Sequence, residues 1–111
     1  MHNLFAELPL RQQPEERMDT LLQTAHFCLK RIISTGQASP PDYWYDQDED
    51  EWCVLLTGGA ALRFEDRQEL VELKPGDWLH IAAHRRHQVA WTKPDEASVW
   101  LALHYVPESA P

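Results

Sequence analysis

An acidic stretch, Asp46–Glu51, ends where the apolar run Trp52–Leu56 begins. Such acidic runs are commonly solvated loops, and a metal site is the alternative interpretation. In an extended chain alternate side chains share one side, which groups Tyr45, Gln47 and Glu51. A buried carboxylate is costly unless a metal ion, a cationic side chain or a proton neutralises it. We therefore expect Glu51 to point into the molecule and to meet such a partner there.

Three histidines within eight residues supply candidate partners: His80, His84 and His87. Their β-rich flanks and the preceding glycine turn argue against a helix. On a strand, His87 shares its side with Val89 and Trp91, an apolar face, and is expected to point inward. His80 is expected to face outward, while His84 can approach His87 from a turn.

The rest of the chain reads as short strands separated by turn residues, a pattern typical of an all-β sandwich or barrel. Gly58-Gly59 has the composition of a two-residue hairpin turn. The predicted extended segments are His26–Ser34, Tyr43–Gln47, Glu51–Thr57, Ala60–Glu65, Glu69–Leu73, Trp78–Ala82, His87–Thr92 and Ser98–Val106.

A single domain accounts for the length of 111 residues. We predict a leader over residues 1–24, a barrel over residues 25–106 and a tail over residues 107–111. The leader is expected to be irregular, with one short helix beginning near Pro14, because proline and acidic residues favour the first turn of a helix. It is expected to pack on the barrel or on a partner subunit.

Two strands are apolar on both alternating faces, Trp52–Leu56 and Val99–Leu103. A strand that is solvated on one side should alternate instead. One face belongs to the barrel interior, so the other must be covered by the leader or by a second copy of the chain. We favour a homodimer.

Composition narrows the classes of partner. The net charge of −8 argues against nucleic acid and anionic membranes, since both would repel the chain. The first residues lack the pattern of a secretory signal and no apolar run is long enough to span a bilayer, which predicts a cytoplasmic protein. Cys28 and Cys53 lie inside apolar runs and are expected to be reduced core residues.

The chain resembles the cupin superfamily over residues 26–106. Glu51 and Gly58 match the end of the first cupin motif, G-x5-H-x-H-x3,4-E-x6-G, and Gly76 and His87 match the second, G-x5-P-x-G-x2-H-x3-N. The run WYDQDEDEW followed by an A-H-x-x-H segment is similar to small single-domain bacterial cupins. The resemblance implies a double-stranded β-helix, or jelly-roll barrel, with a polar pocket inside.

The chain departs from both motifs. Tyr45 and Gln47 stand where the first motif has histidines, and Ala82, His84 and Trp91 replace the proline, glycine and asparagine of the second. The metal ligands implied by the resemblance are therefore Gln47, Glu51 and His87, a set suited to Zn, Mn, Fe or Ni rather than selective for one. Tyr45 or His84 would then transfer protons.

Three functions stay open. The first is a metal-binding cupin, with or without catalytic activity, acting on a small organic molecule. The second is a metal-free module that binds a sugar or an organic acid, with an ion pair between Glu51 and His87. The third is a scaffold with a vestigial pocket. The predicted pocket residues are Tyr43, Tyr45, His84 and Trp91, with Trp100 as a further apolar wall of the binding module.

Overall fold

The computed structural model describes residues 1–107, so that all but the first residue of the predicted tail lies outside the described part. Residues 1–107 contain eight strands and no helix. The strands are β1 (Arg17–Gln23), β2 (Phe27–Ser34), β3 (Asp50–Thr57), β4 (Ala60–Phe64), β5 (Val71–Leu73), β6 (Trp78–Ile81), β7 (His87–Thr92) and β8 (Ser98–Tyr105). None of this part of the chain forms a helix that is long and apolar enough to cross a membrane.

Two antiparallel sheets form the predicted all-β barrel. The larger sheet has the strand order β1-β2-β8-β3-β6, and the smaller one has the order β5-β4-β7. Their facing sides enclose an apolar core, because apolar residues alternate along the strands and one face of each sheet points inward. The core cluster consists of Cys53, Leu55, Ala60, Leu62, Phe64, Leu73, Ile81, Trp100 and Ala102.

The predicted helix near Pro14 is wrong, because residues 17–23 form strand β1. This strand pairs with β2 from Arg17 opposite Ile33 to Gln23 opposite Cys28. Pairing with the edge of β2 satisfies backbone groups that a single helical turn would leave largely unsatisfied. The remaining leader is irregular and is held to the sheet by Arg31, whose guanidinium donates hydrogen bonds to the carbonyls of Leu4 and Ala6.

The Gly58-Gly59 pair joins β3 to β4 as a two-residue connection, but it does not close a hairpin. The two strands belong to different sheets, so the glycines carry the chain across the barrel edge. Gly58 has a φ of 84°, and a Cβ there would overlap Ser98. The Ser98 hydroxyl accepts a hydrogen bond from the Gly59 N–H and donates one to the Gly59 carbonyl, each at 3.1 Å. Both the positive φ and the close approach to Ser98 therefore require glycine at position 58.

The segment predicted to be extended over residues 43–47 does not form a continuous strand and is joined to β7 by a single bridge. Tyr45 forms an isolated bridge with His87 at the start of β7. Its backbone N–H donates to the His87 carbonyl at 2.7 Å, and the His87 N–H donates back at 3.2 Å. This bridge brings the acidic segment that precedes β3 against the smaller sheet.

The outer face of the larger sheet carries the second apolar face that the sequence predicts. The Trp52 and Trp78 rings lie side by side there, with centroids 6.0 Å apart. Val54 and Leu101, paired across β3 and β8, are only partly buried, and Trp78 is 61% exposed. The leader contacts this sheet at Arg31 and leaves these apolar side chains accessible.

Candidate functional site

A cavity of about 300 Å³ lies between the two sheets. Its volume is at the lower end of the range for small-molecule sites. Both sheets and the segment before β3 contribute to its wall. The lining residues are Glu16, Met18, Cys28, Lys30, Ile32, Ser34, Tyr45, Gln47, Glu49, Glu51, Cys53, Leu62, Ile81, His87, Val89, Trp100, Ala102 and His104.

Glu51 lies at the centre of the polar part of this wall. It is directly opposite His104 on β8 and Ile81 on β6, and the exposed fraction of its side chain is 13%. Its Oε1 atom lies 3.9 Å from His87 Nε2 and 3.9 Å from His104 Nε2. His87 comes from the smaller sheet, so the carboxyl group meets an imidazole from across the barrel, as the sequence predicts.

Both imidazoles are held in neutral form. Burial lowers the pKa of His87, and burial together with the nearby Lys30 ammonium lowers the pKa of His104. His87 Nδ1 lies 2.9 Å from the carbonyl oxygen of Arg85. Since a carbonyl can only accept, Nδ1 carries the proton and Nε2 presents a lone pair toward Glu51.

Burial also raises the pKa of Glu51, and hydrogen bonds to the Cys53 and Gln47 side chains oppose the rise in part, as does the charge of Lys30. At 3.9 Å the two imidazoles are too far away for a hydrogen bond, and in neutral form they supply no charge. Glu51 is therefore a largely buried carboxyl group without a close ionic partner, flanked by two neutral imidazoles. Such a set can accept and donate protons.

Tyr45 and Gln47 line the cavity, as the shared strand side predicts. The Tyr45 ring stacks on His87, with centroids 5.4 Å apart. Burial, followed by the charge of Glu16, raises the pKa of the Tyr45 hydroxyl. Tyr45 therefore offers the cavity a protonated hydroxyl group.

Three predicted pocket residues, Tyr43, His84 and Trp91, do not line the cavity. Trp91 points outward because β7 carries an extra residue between Val89 and Trp91: Leu62 pairs with Val89, while Ala61 pairs with Trp91. A bulge of this kind reverses the alternation of side chains that the prediction relied on. The Tyr43 ring packs edge-on against Tyr45 at 5.0 Å and is half exposed.

His84 lies on an exposed turn outside the cavity. Its Nδ1 atom lies 2.8 Å from Asp46 Oδ1 and its Nε2 atom 3.4 Å from Asp48 Oδ1. The hydrogen bond to Asp46 raises the pKa of this imidazole. Its φ of 65° is a conformation that favours glycine, which is the residue of the second cupin motif at this position. His84 thus clamps the acidic segment instead of facing a ligand.

Four further residues that the sequence pattern did not identify also line the cavity: Glu16, Met18, Lys30 and His104. Trp100, Ala102 and His104 occupy alternate positions of the last strand and so share one face, and this pattern indicates that His104 points inward. The predicted helix near Pro14 gave no reason to place Glu16 and Met18 at the cavity, because only a strand brings them beside the barrel.

The predicted ligand set of Gln47, Glu51 and His87 does not form a metal site as it stands. With bonds of about 2.0–2.1 Å in tetrahedral geometry, donor atoms around one ion are roughly 3.3 Å apart, whereas both imidazoles lie 3.9 Å from Glu51 Oε1. Within residues 1–107, no group of three or more histidine, cysteine, aspartate or glutamate side chains has an arrangement that could hold an ion.

Comparison with solved structures decides the family. A protein from Ralstonia eutropha JMP134, provisionally named a mannose-6-phosphate isomerase, shares 45% sequence identity over 96% of this chain and 98% of its own, with a TM-score of 0.92. A cupin superfamily protein from Desulfitobacterium hafniense matches over 90% of this chain and 84% of its own, with 18% identity and a TM-score of 0.73. The chain belongs to the cupin superfamily.

KdgF from Halomonas sp. has the same fold as this cupin, with 17% identity, a TM-score of 0.69 and coverage of 86% of this chain and 84% of its own. A scan against protein-family models and a search of curated proteins found no match. The predicted double-stranded β-helix is confirmed.

Proposed function

We propose that this cupin binds a small organic molecule, a sugar or an organic acid, directly through Glu51, His87 and His104. One observation carries the proposal. Glu51 is largely buried, with two neutral imidazole nitrogens at 3.9 Å and no close cation. A hydroxyl group of a ligand placed among these three side chains can donate to the carboxylate or to an imidazole, which adds a hydrogen bond to a carboxyl group that has no close cation.

The rest of the cavity suits such a molecule. Leu62, Ile81, Val89 and Trp100 form apolar walls next to the polar groups. Binding sites for small molecules combine mostly apolar walls with a few polar groups that fix orientation. The apolar face of a sugar ring can pack on the Trp100 or Tyr45 ring while its hydroxyl groups reach Glu51.

The same side chains support proton transfer on the bound molecule. When an aldose and a ketose interconvert, a proton leaves the carbon next to the carbonyl group and a proton is added to the carbonyl carbon. At the same time the carbonyl oxygen gains a proton and the hydroxyl oxygen loses one. Glu51 as base and a neighbouring His87 or Tyr45 as the group that exchanges the oxygen-bound proton supply these roles. The relative with 45% identity is provisionally named a mannose-6-phosphate isomerase, that is, an isomerase of a sugar phosphate, which favours isomerisation as the reaction type.

Metal binding is the second candidate function, favoured by the convergence of two imidazole nitrogens on one Glu51 oxygen. Gln47, Glu51, His87 and the newly found His104 would hold the ion, which would act as a Lewis acid. The donor atoms would have to approach one another by roughly 0.5 Å to reach tetrahedral coordination distances. Elemental analysis of protein expressed without an affinity tag and supplied with Zn, Mn, Fe and Ni tests it: a stoichiometric ion supports this function, and none removes it.

Thermal-shift and calorimetric titration with sugars and carboxylic acids test the primary proposal. A ligand that binds only the native state raises the melting temperature. We expect Glu51→Gln and His104→Gln to weaken binding about tenfold or more. The first replaces a carboxylate oxygen by an NH2 group, and the second removes the imidazole nitrogen from its position in the cavity. Glu72→Gln and His80→Gln, which change the same residue types outside the cavity, should leave affinity unchanged. A panel without any hit would favour the vestigial pocket instead.

A further inference from the structure

The carboxyl and ammonium groups around the cavity are mostly carboxyl groups. Three carboxyl groups line it, those of Glu16, Glu49 and Glu51, against one ammonium group, that of Lys30. Among residues 1–107, no arginine contributes to the wall. His87 and His104 add no positive charge near neutral pH, because burial lowers the pKa of both.

The single ammonium group already acts on the protein's own groups. Lys30 lies on the inner face of β2, in register with Ala102 and next to the His104 position. Its charge opposes part of the rise in the pKa of Glu51 and adds to the fall in that of His104. Among the described residues Lys30 makes no ion pair within 4.0 Å, so the cavity offers an anionic ligand one ammonium group against three carboxyl groups.

Glu16 and Glu49 add two further carboxyl groups to the cavity wall. Within the described residues, neither carboxylate has an ion pair within 4.0 Å. Glu16 acts electrostatically on Tyr45 and Glu49 on His104, so both charges lie beside the polar part of the cavity. Burial raises the pKa of Glu16. Above that pKa an anionic ligand would meet two negative charges that have no ion-pair partner, in a cleft that screens them poorly.

The backbone offers no anion site to offset them. Phosphate groups are bound by arginine or lysine clusters, by helix N-termini or by glycine-rich loops with free N–H groups. Residues 1–107 contain no helix, and no glycine in this region lines the cavity. Most of the wall consists of strand residues, whose N–H groups are largely engaged in the sheets.

From this distribution of charge we infer that the cavity takes uncharged polyhydroxylated molecules, such as free sugars, and rejects their phosphate esters and carboxylates. Glu16 and Glu49 are the specificity-determining residues. The inference rests on the proposed binding of a small molecule at Glu51, and it narrows the two ligand classes named there to one.

Matched pairs of ligands test it: mannose against mannose-6-phosphate, and glucose against gluconate, titrated by calorimetry at pH 7.5. We expect the uncharged member of each pair to bind at least about tenfold more tightly. The double variant Glu16→Gln/Glu49→Gln should reduce that preference about threefold or more. Glu69→Gln/Glu72→Gln, with the same change in net charge on exposed residues outside the cavity, should preserve it.

The outcomes separate the two proposals. Wild-type protein that binds a phosphate ester or gluconate as tightly as the uncharged partner overturns the charge selection and leaves the ligand site at Glu51 intact. A preference that falls equally in both double variants shows a general effect of net charge and also overturns it. If no member of either pair binds, the sugar-binding function fails, and the selectivity inferred from it fails with it.

Discussion

Glu51 and His104 face each other on the adjacent strands β3 and β8, with Oε1 and Nε2 3.9 Å apart. Direct pairing across two strands fixes both side chains on the same inner face of the sheet. The separation is too wide for a hydrogen bond, and burial favours the neutral form of each group. The pair is therefore expected to make stability depend on pH, and it is also the place proposed for ligand contact.

Replacing Glu51 by glutamine should stabilise the protein at alkaline pH. Burial raises the pKa of Glu51 in the folded state, so its contribution to stability is fully present below the unfolded pKa and is lost as pH rises through the folded pKa. Glu51→Gln removes this loss. We expect its free energy of unfolding at pH 8 to exceed that of the wild type by about 1 kcal/mol.

Urea denaturation of both proteins at pH 5 and pH 8 measures this effect. The advantage of Glu51→Gln should be smaller at pH 5, where part of the wild-type carboxyl population is protonated. Exposed Glu72→Gln serves as the control. A variant that is less stable than wild type at pH 8 would show that the carboxylate is well paired after all.

Replacing His104 should reduce the sensitivity to acid. Its pKa is lowered in the folded state, so the stability it contributes is present above the unfolded pKa of about 6.5 and is lost as pH falls through the folded pKa. We expect His104→Gln to lose less stability than wild type between pH 7.5 and pH 5, by about 1 kcal/mol.

Thermal or urea denaturation across that pH range provides the measurement. His80→Gln, at a half-exposed histidine on the outer face of the larger sheet, is the matched control and should follow the wild-type curve more closely. Equal acid sensitivity in wild type and His104→Gln would mean that protonation of His104 costs nothing in the fold.

Gly58 should tolerate alanine much less well than Gly76. Both have positive φ, 84° and 95°, so alanine is strained at each by about 1 kcal/mol. A Cβ at Gly58 also overlaps Ser98, whereas a Cβ at Gly76 meets nothing within 4 Å. We expect Gly58→Ala to cost roughly 2 kcal/mol more than Gly76→Ala. Melting curves of the two variants give the comparison, and equal losses would refute the overlap.

The exposed apolar face around Trp52, Val54, Trp78 and Leu101 should mediate homodimer formation. Apolar patches of this kind commonly mark interaction surfaces. Light scattering at micromolar concentration should give a dimer for wild type and a monomer for Trp78→Glu. Trp91→Glu, at an exposed tryptophan of the smaller sheet, should remain dimeric. A monomeric wild type would contradict the prediction.

Strand alternation was enough to predict the fold class and the inward position of Glu51 and His87. Both residues begin strands with strongly apolar inner faces, so burial of those faces determines the direction of the polar side chain as well. The same rule failed for Trp91, because one extra residue in β7 reverses the alternation. A bulge depends on pairing with β4, which local sequence does not reveal.

The N-terminal strand could not be predicted for a related reason. Pro14 and the acidic residues after it have the composition of a helix start, and local preference is weak compared with pairing at an open sheet edge. Once β1 was misassigned, Glu16 and Met18 could not be placed in the cavity. The alternation of side chains along β8 indicates that His104 points inward. Its position opposite Glu51, however, follows only from the register between β8 and β3.

Strand β1 is the edge strand of its sheet, and this position has an evolutionary consequence. The sequence of an edge strand can change with little damage to the remaining strands. Here, however, the edge strand adjoins residues of the cavity wall. Proteins that share both cupin motifs can therefore diverge in what they bind through substitutions upstream of either motif. Comparing relatives by their motifs alone would overlook the segment where such divergence is least constrained.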